Sequence, residues 1–379
     1  MPAFDIAVIG LGAVGGAALL AGIRARARVV GFDRFAPPHA LGSTHGETRI
    51  VRTAIGEGAD YSPFALRNFA LLDQLAAETG DALLDRCGLL VLGAVPPHAS
   101  HVPAGFLDTT IEAARRYSIP HALLDARAVR ERFPAYASYT GERAYYEPGA
   151  GMAYPERVVD AQLRRARALG AEAHVDTRVL SIAASGRVVT VDTASGRVEA
   201  AHVILAAGAW NPTFLPPAVA KRLTVTRQTL HWFEPPSPAS AFEAKRMPVF
   251  IWNDFYGFPI ASKGGGVKIA TETLTAAVDP EANRTPAGQP DVDAIEPRVR
   301  AAFPQLGPHL RSTTCLYTST PDFNFWVGPH PKHANVTVVS ACSGHGFKHA
   351  AALGEAVAAE ALDRRATPIP EAWRRVKGG

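Results

Sequence analysis

The run Gly10-Leu11-Gly12-Ala13-Val14-Gly15 constrains this chain more than any other stretch. It follows Ile6-Ala7-Val8-Ile9, a short apolar run suited to a strand buried on both faces, and it opens a helical stretch over residues 13–27. A second run, 28–33, ends on an acid, Asp33. Strand, glycine turn, helix, strand and terminal acid in this order form the fingerprint of a doubly wound dinucleotide-binding unit. Gly10 permits the tight turn, Gly12 lets the backbone approach a pyrophosphate, and Gly15 lets helix and strand close on each other. The amino end of the helix favours phosphate charge, and Asp33 is placed to accept hydrogen bonds from ribose hydroxyls. The motif by itself does not separate NAD from FAD.

The rest of the chain reads as pieces of two domains. Residues 37–52, rich in Gly, Ser, Thr and His, look like a functional loop. A helix follows, with Ser62 as its N-cap, Pro63 at its first position, Leu66, Phe69, Leu72 and Leu75 on one face, and Gly80 as its stop. Residues 88–93 read as a strand, 94–150 as irregular, and 155–169 as a helix with Val159, Leu163 and Ala166 inward. A hairpin is expected over 188–198 and a buried strand over 202–208. Residues 222–272 read as strands of one antiparallel sheet, 336–341 as a further buried strand and 347–362 as a helix. The expected fold is therefore α/β with an α+β second domain. A Rossmann-like cofactor domain is assembled from 1–83, 147–217 and 315–379, and an antiparallel-sheet substrate domain from 84–146 and 218–314.

Composition excludes several classes. At 379 residues with 47% hydrophobic and 20% charged residues, the chain can bury large cores without disulfides. Cys87, Cys315 and Cys342 are too few for a disulfide framework and fit a reducing cytoplasm. Met1 to Asp5 reads as too short for a signal peptide, so none is expected, and no run of about 18 apolar residues suggests a membrane span. A net charge of +4, with the cluster Arg164, Arg165 and Arg167 read as a solvated helix face, argues against a nucleic-acid partner. No metal-ligand spacing appears, so no metal is expected.

The loop 42–52, GSTHGETRIVR, resembles the GSHHGDTRIIR region of the monomeric sarcosine oxidase and N-methyltryptophan oxidase family. The resemblance recurs in order at Tyr256-Gly257-Phe258-Pro259, at Cys315-Leu316-Tyr317-Thr318 and at Ser343-Gly344-His345-Gly346-Phe347-Lys348. It implies an FAD-dependent oxidase of a secondary or N-methylated amine, within the D-amino-acid oxidase fold group. A small amine or amino acid would be the substrate and dioxygen the acceptor, and the chain would work as a monomer.

Residue by residue, the resemblance implies that Cys315 carries FAD through a thioether, with Cys87 and Cys342 as small buried apolar groups. It implies that Arg52 and Lys348 hold the substrate carboxylate, an Arg fork and a Lys point charge. Arg49 and His45 would lie against the flavin, and Lys268 would activate dioxygen, with Lys263 as its rival. Tyr317 and His345 would stand near flavin and substrate. Ser43, Thr48, Gly344, Gly346 and Lys348 would contact the cofactor, with Gly208 towards its adenine or ribose side. Two positions depart from the pattern. Glu272 replaces a histidine, and Phe255 replaces the first of two tyrosines. Both are expected at the substrate, so a larger amine or one with a second positive group is expected in place of sarcosine. Two readings stay open: a dehydrogenase with another acceptor, and a flavin-holding protein without turnover.

Overall fold

Residues 2–93, 105–271, 276–282 and 285–375 are described in the computed structural model. Strand Phe4–Ile9 lies between two parallel neighbours, with Ile6 opposite Val29 on one side and His202 on the other. Ile6 to Ile9 are buried on both faces, which is why the run is unbroken by polar residues. Parallel pairing extends outward to Glu172–His174 and to His333–Ser340. Antiparallel strands Val179–Ser185, Val188–Thr193 and Trp326–His330 complete an eight-stranded sheet. The expected hairpin and the expected buried strand prove continuous. The ten-residue strand Gly196–Leu205 leaves the hairpin and runs into the sheet centre.

The glycine turn sits at the carboxyl end of that central strand. Gly10 has φ +88°, and a Cβ there would stand 2.5 Å from the Ala206 carbonyl oxygen. A Cβ on Gly15 would lie 1.7 Å from the Gly10 oxygen, so this closeness of helix and turn requires glycine. Helix Ala13–Arg24 ends three residues before its expected end. It packs against helices Ala350–Ala361 and Pro155–Ala168, in an apolar core shared with Ser62–Thr79.

Two details of helix Ser62–Thr79 differ from expectation. The helix starts on Ser62 itself, whose buried hydroxyl caps nothing. Leu66 is 39% exposed, while Phe64, Ala65, Asn68, Leu71, Leu72 and Leu75 face inward. A series stepping by three residues drifts about 60° per step on a helix. Leu66 therefore points away from Leu75, half a turn round. Gly80, in the left-handed region, stops the helix as expected.

A second eight-stranded sheet runs His309–Ser319, Thr224–Phe233, Val267–Thr271, Phe255–Phe258, Val249–Trp252, Leu89–Leu92, Ala144–Glu147, Ala122–Leu124. Its neighbours are antiparallel except Val249–Trp252 beside Leu89–Leu92. The boundary expected at residue 315 falls inside strand His309–Ser319. The stretch read as irregular holds helices Phe106–Arg116 and Ala126–Arg132, the latter capped by Asp125, which accepts from the Ala128 amide at 2.7 Å. A small third sheet joins Arg49–Val51, Gly151–Ala153 and Leu84–Asp85 between the large ones. Among the described residues no helix is long and apolar enough to cross a membrane, and no cluster of His, Cys, Asp and Glu suits a metal.

Candidate active site

A cavity of about 490 Å³ connects the glycine turn with the second sheet. Gly10, Gly12, Asp33 and Gly208 line one part of it, Ser43, Arg49, Tyr317, Gly344 and Gly346 another, and Arg52, Glu57, Phe106, Phe255 and Lys348 a third. Asp33 does two tasks at once. Its carboxylate accepts from the Leu11 amide at 2.8 Å and from the Phe35 amide at 2.9 Å, fixing the turn while it faces the cavity. In front of Gly12 the space is open: a Cβ there would meet only Thr44 Oγ1, at 3.6 Å. Thr318 Oγ1 and Ser340 Oγ are buried beside the cavity without a partner in the protein. An open glycine approach and two orphaned hydroxyls in one elongated cavity fit a dinucleotide such as FAD, which brings phosphates and further polar groups.

The loop after the second strand carries the expected cations. Arg49 lines the cavity and donates to the Ser43 carbonyl at 2.8 Å and the Thr48 carbonyl at 2.9 Å. Lys268 and Lys263 differ in burial: Lys263 is exposed, whereas Lys268 is 1% exposed. Lys268 Nζ donates to the carbonyls of Gly46 and Thr48, both at 2.7 Å, and to Thr48 Oγ1 at 3.1 Å. Burial and then Arg49 push its pKa well below the usual lysine value. His45 is likewise buried, and burial with Arg49 lowers it to about 4. His45, Thr48, Lys268 and Cys315 stand behind the cavity wall and do not themselves line it.

At the far end Arg52 and Lys348 meet on one buried carboxylate. Glu57 pairs with the Arg52 guanidinium, and its other oxygen lies 2.9 Å from Lys348 Nζ. Lys348 also donates to the His345 carbonyl at 3.0 Å, and His345 stacks on Phe325 at 4.6 Å. The hydroxyls of Tyr256 and Tyr317 stand 3.4 Å apart. Phe255 is buried against Phe250 and Trp252 and shows its remaining face to the cavity. Glu272, expected at the substrate, lies outside the described residues.

Cys315 is buried in the middle of its strand, and burial raises its thiol pKa while Arg49 opposes that rise. Cys342, expected to be a buried apolar group, is half-buried in the cavity wall with Sγ 3.9 Å from Ser43 Oγ. Sequence reasoning missed three acids. Glu57 sits between two glycines, Gly56 and Gly58, and pairs with both Arg52 and Lys348. Glu147 accepts from the Thr53 amide, the Thr53 hydroxyl and the Ala54 amide. Glu156 accepts from the amides of Gly46 and Glu47. Its signal was an acid following proline at a helix start, which normally reads as dipole complementarity alone.

A family model described as FAD dependent oxidoreductase matches residues 5–360. Monomeric sarcosine oxidase of Streptomyces avermitilis is 34% identical, over 95% of this chain and 94% of that protein. N-methyl-L-tryptophan oxidase of Yersinia pestis is also 34% identical, over 95% of each. Glycine oxidase from Geobacillus kaustophilus superposes with a TM-score of 0.78 at 21% identity, over 99% of this chain and 98% of that one, a likeness of fold.

Proposed function

This chain belongs to the FAD dependent oxidoreductase family and acts on a CH–NH donor, and we propose that the donor is a secondary or N-methylated amino acid and the acceptor dioxygen. The observation that carries the reading is the meeting of Arg52 and Lys348 on Glu57 in the cavity wall. Two cations and one anion leave a single positive charge for one substrate carboxylate. The guanidinium supplies a planar fork and the ammonium a point charge. Phe106 and Phe255 give the amine an apolar enclosure that excludes water.

Gly10, Gly12, Asp33 and Gly208 would hold the dinucleotide end of FAD, with Gly15 closing the helix on the turn, and Ser43, Arg49, Gly344 and Gly346 its flavin end, with Thr48 behind them on Lys268. When bound, FAD supplies the two-electron chemistry: hydride is taken from the carbon beside nitrogen, water hydrolyses the imine, and dioxygen is reduced to hydrogen peroxide. Lys268 and Arg49 place positive charge where dioxygen gains electrons. Tyr317 and His345 orient the amine, and His45 stays neutral behind the loop. A monomer fits the name of the relative, monomeric sarcosine oxidase, and three cysteines, too few for a disulfide framework, fit a reducing compartment.

We further propose that Cys315, two residues before the cavity-lining Tyr317 on the same strand, links FAD covalently once its thiol turns into the cavity. In Cys315→Ala, denaturation should release the yellow chromophore, while Cys342→Ala should keep it attached. Release from Cys342→Ala alone would transfer the role to the other thiol.

The deciding experiment is peroxide release in air from purified enzyme, across N-methylated amino acids and their carboxylate-free counterparts. Peroxide with the acids and at least about tenfold less with the counterparts is expected, since a charge-assisted hydrogen bond contributes about 1.5–3 kcal/mol. Turnover only with an added dye acceptor would identify a dehydrogenase instead.

A further inference from the structure

Lys268 reaches its acceptors across most of the chain, so something must hold the loop that presents them. Gly46 has φ +95° and Glu47 has φ +74°, two successive left-handed residues. The two consecutive amides converge on a single acceptor. That acceptor is Glu156 Oε1, 2.6 Å from the Gly46 amide and 3.0 Å from the Glu47 amide. The Glu47 amide and the Gly46 carbonyl belong to the same peptide group. That group therefore donates to a carboxylate at one end and accepts from Lys268 Nζ at the other. Hydrogen bonds in series polarise one another, and here both ends carry charge of the polarity that strengthens the chain.

We propose that Glu156 is a positioning residue: through the peptide between Gly46 and Glu47 it fixes Lys268 in place and keeps it an ammonium ion. The inference rests on the reading of Lys268 as the group that favours reduction of dioxygen.

The surroundings make such a device necessary. Lys268 is enclosed by Trp232 and Phe258, with Phe258's ring 4.3 Å from Nζ. Burial and Arg49 oppose its charge, while the carboxylates of Glu156 and Glu47 support it. His45 is neutral at ordinary pH. Glu47 is engaged elsewhere, accepting from Trp232 Nε1 at 2.6 Å and pairing with Arg311. Glu156 is thus the acid joined to Lys268 through a hydrogen-bonded peptide. A neutral amine has two N–H groups, whereas three acceptors are arrayed around Nζ, which suits the ammonium form.

Two substitutions separate position from charge. Glu156→Gln keeps an oxygen for both amides but removes the charge, and Glu156→Ala removes both. Hydrogen exchange at the amides of 46 and 47, in flavin-free and flavin-loaded protein, reads position. The rate at which the reduced enzyme reacts with dioxygen, against pH, reads charge. Glu156→Gln should keep amide protection and move the alkaline loss of the dioxygen reaction down by about one pH unit. Glu156→Ala should lose protection and react with dioxygen about tenfold more slowly, with the anaerobic reduction by amine changed less. Wild-type protection in Glu156→Ala overturns the positioning claim. A wild-type pH profile in Glu156→Gln overturns the charge claim. Lys268→Met completes the series. If it retains the full dioxygen rate, the reading of Lys268 fails and this inference falls with it. If it is slow while both Glu156 variants match wild type, this inference alone fails.

Discussion

The two ends of the cavity are built in opposite ways. The dinucleotide end comes mainly from one stretch: strand Phe4–Ile9, the glycine turn, helix Ala13–Arg24, strand Val29–Phe32 and Asp33, with Gly208 added after the neighbouring strand. Asp33 reaches back to the Leu11 amide, so the stretch closes on itself. The reacting end has no such unit. Arg49 begins and Arg52 follows one short strand, Glu147 ends a strand of the second sheet, Glu156 begins a helix, Phe255, Lys268 and Tyr317 come from other strands of the second sheet, and Lys348 from the approach to the final helix. Glu147 and Glu156 lie nine positions apart and hold the loop at residues 53–54 and 46–47 respectively. A local unit tolerates distant change and fails under local change. A dispersed site does the reverse, because each member depends on carriers far away in sequence.

The comparison is broken most severely by a methyl group at Gly15. A Cβ 1.7 Å from the Gly10 oxygen forces turn and helix apart. Gly15→Ala should abolish FAD retention and destabilise the protein by about 4 kcal/mol or more. Flavin absorbance per mole of protein and thermal unfolding measure this. A yellow variant of wild-type stability would show that the turn is not the anchor.

At the dispersed end the largest effect should come from Lys268→Met. Loss of one preorganised charge at a reacting centre costs roughly 10²- to 10³-fold in rate. Stopped-flow reaction of reduced enzyme with dioxygen should show that loss while flavin content stays normal. Arg52→Gln should be milder. It should raise KM for the amino acid by about 10- to 100-fold, the worth of one charge-assisted hydrogen bond, and leave carboxylate-free amines unaffected. An equal rise for both would remove Arg52 from the carboxylate's contacts.

The same contrast decides what could be read from sequence. The glycine turn was legible because its chemistry is complete within about thirty residues, each with a steric reason for its type. The pairing of Lys268 with Gly46 and Thr48 spans more than 200 positions, and no local pattern encodes it. Arg52, Lys348 and Tyr317 were reached by resemblance, and the cavity does bring them together. Glu57 was passed over because a lone acid between glycines reads as a solvated turn, although here it is buried between two cations. Helix Phe106–Arg116 was missed because its inward face includes Thr110, Ala113 and Ala114, which dilute the apolar period.

The smallest effect expected is also the one that tests whether the loop behaves as part of the fold or only of the site. His45 is buried with its pKa lowered to about 4, by burial first and Arg49 second. In the unfolded chain an ordinary histidine titrates near 6.5. Between those values the unfolded state binds more protons, so stability rises with pH across this window and is lost as pH falls from about 6.5 to about 4. His45→Asn removes that group, and the slope of unfolding free energy against pH should flatten by up to about 1.4 kcal/mol per unit there. The slope above pH 7 should not change. Denaturant unfolding at pH 4.5, 5.5 and 7.5 suffices. Other buried histidines such as His231, also lowered to about 4, keep part of the acid slope; if the slope in His45→Asn equals that of wild type, the loop opens to solvent before the sheets unfold. The dispersed end would then be a separate, weaker unit resting on a self-contained dinucleotide fold.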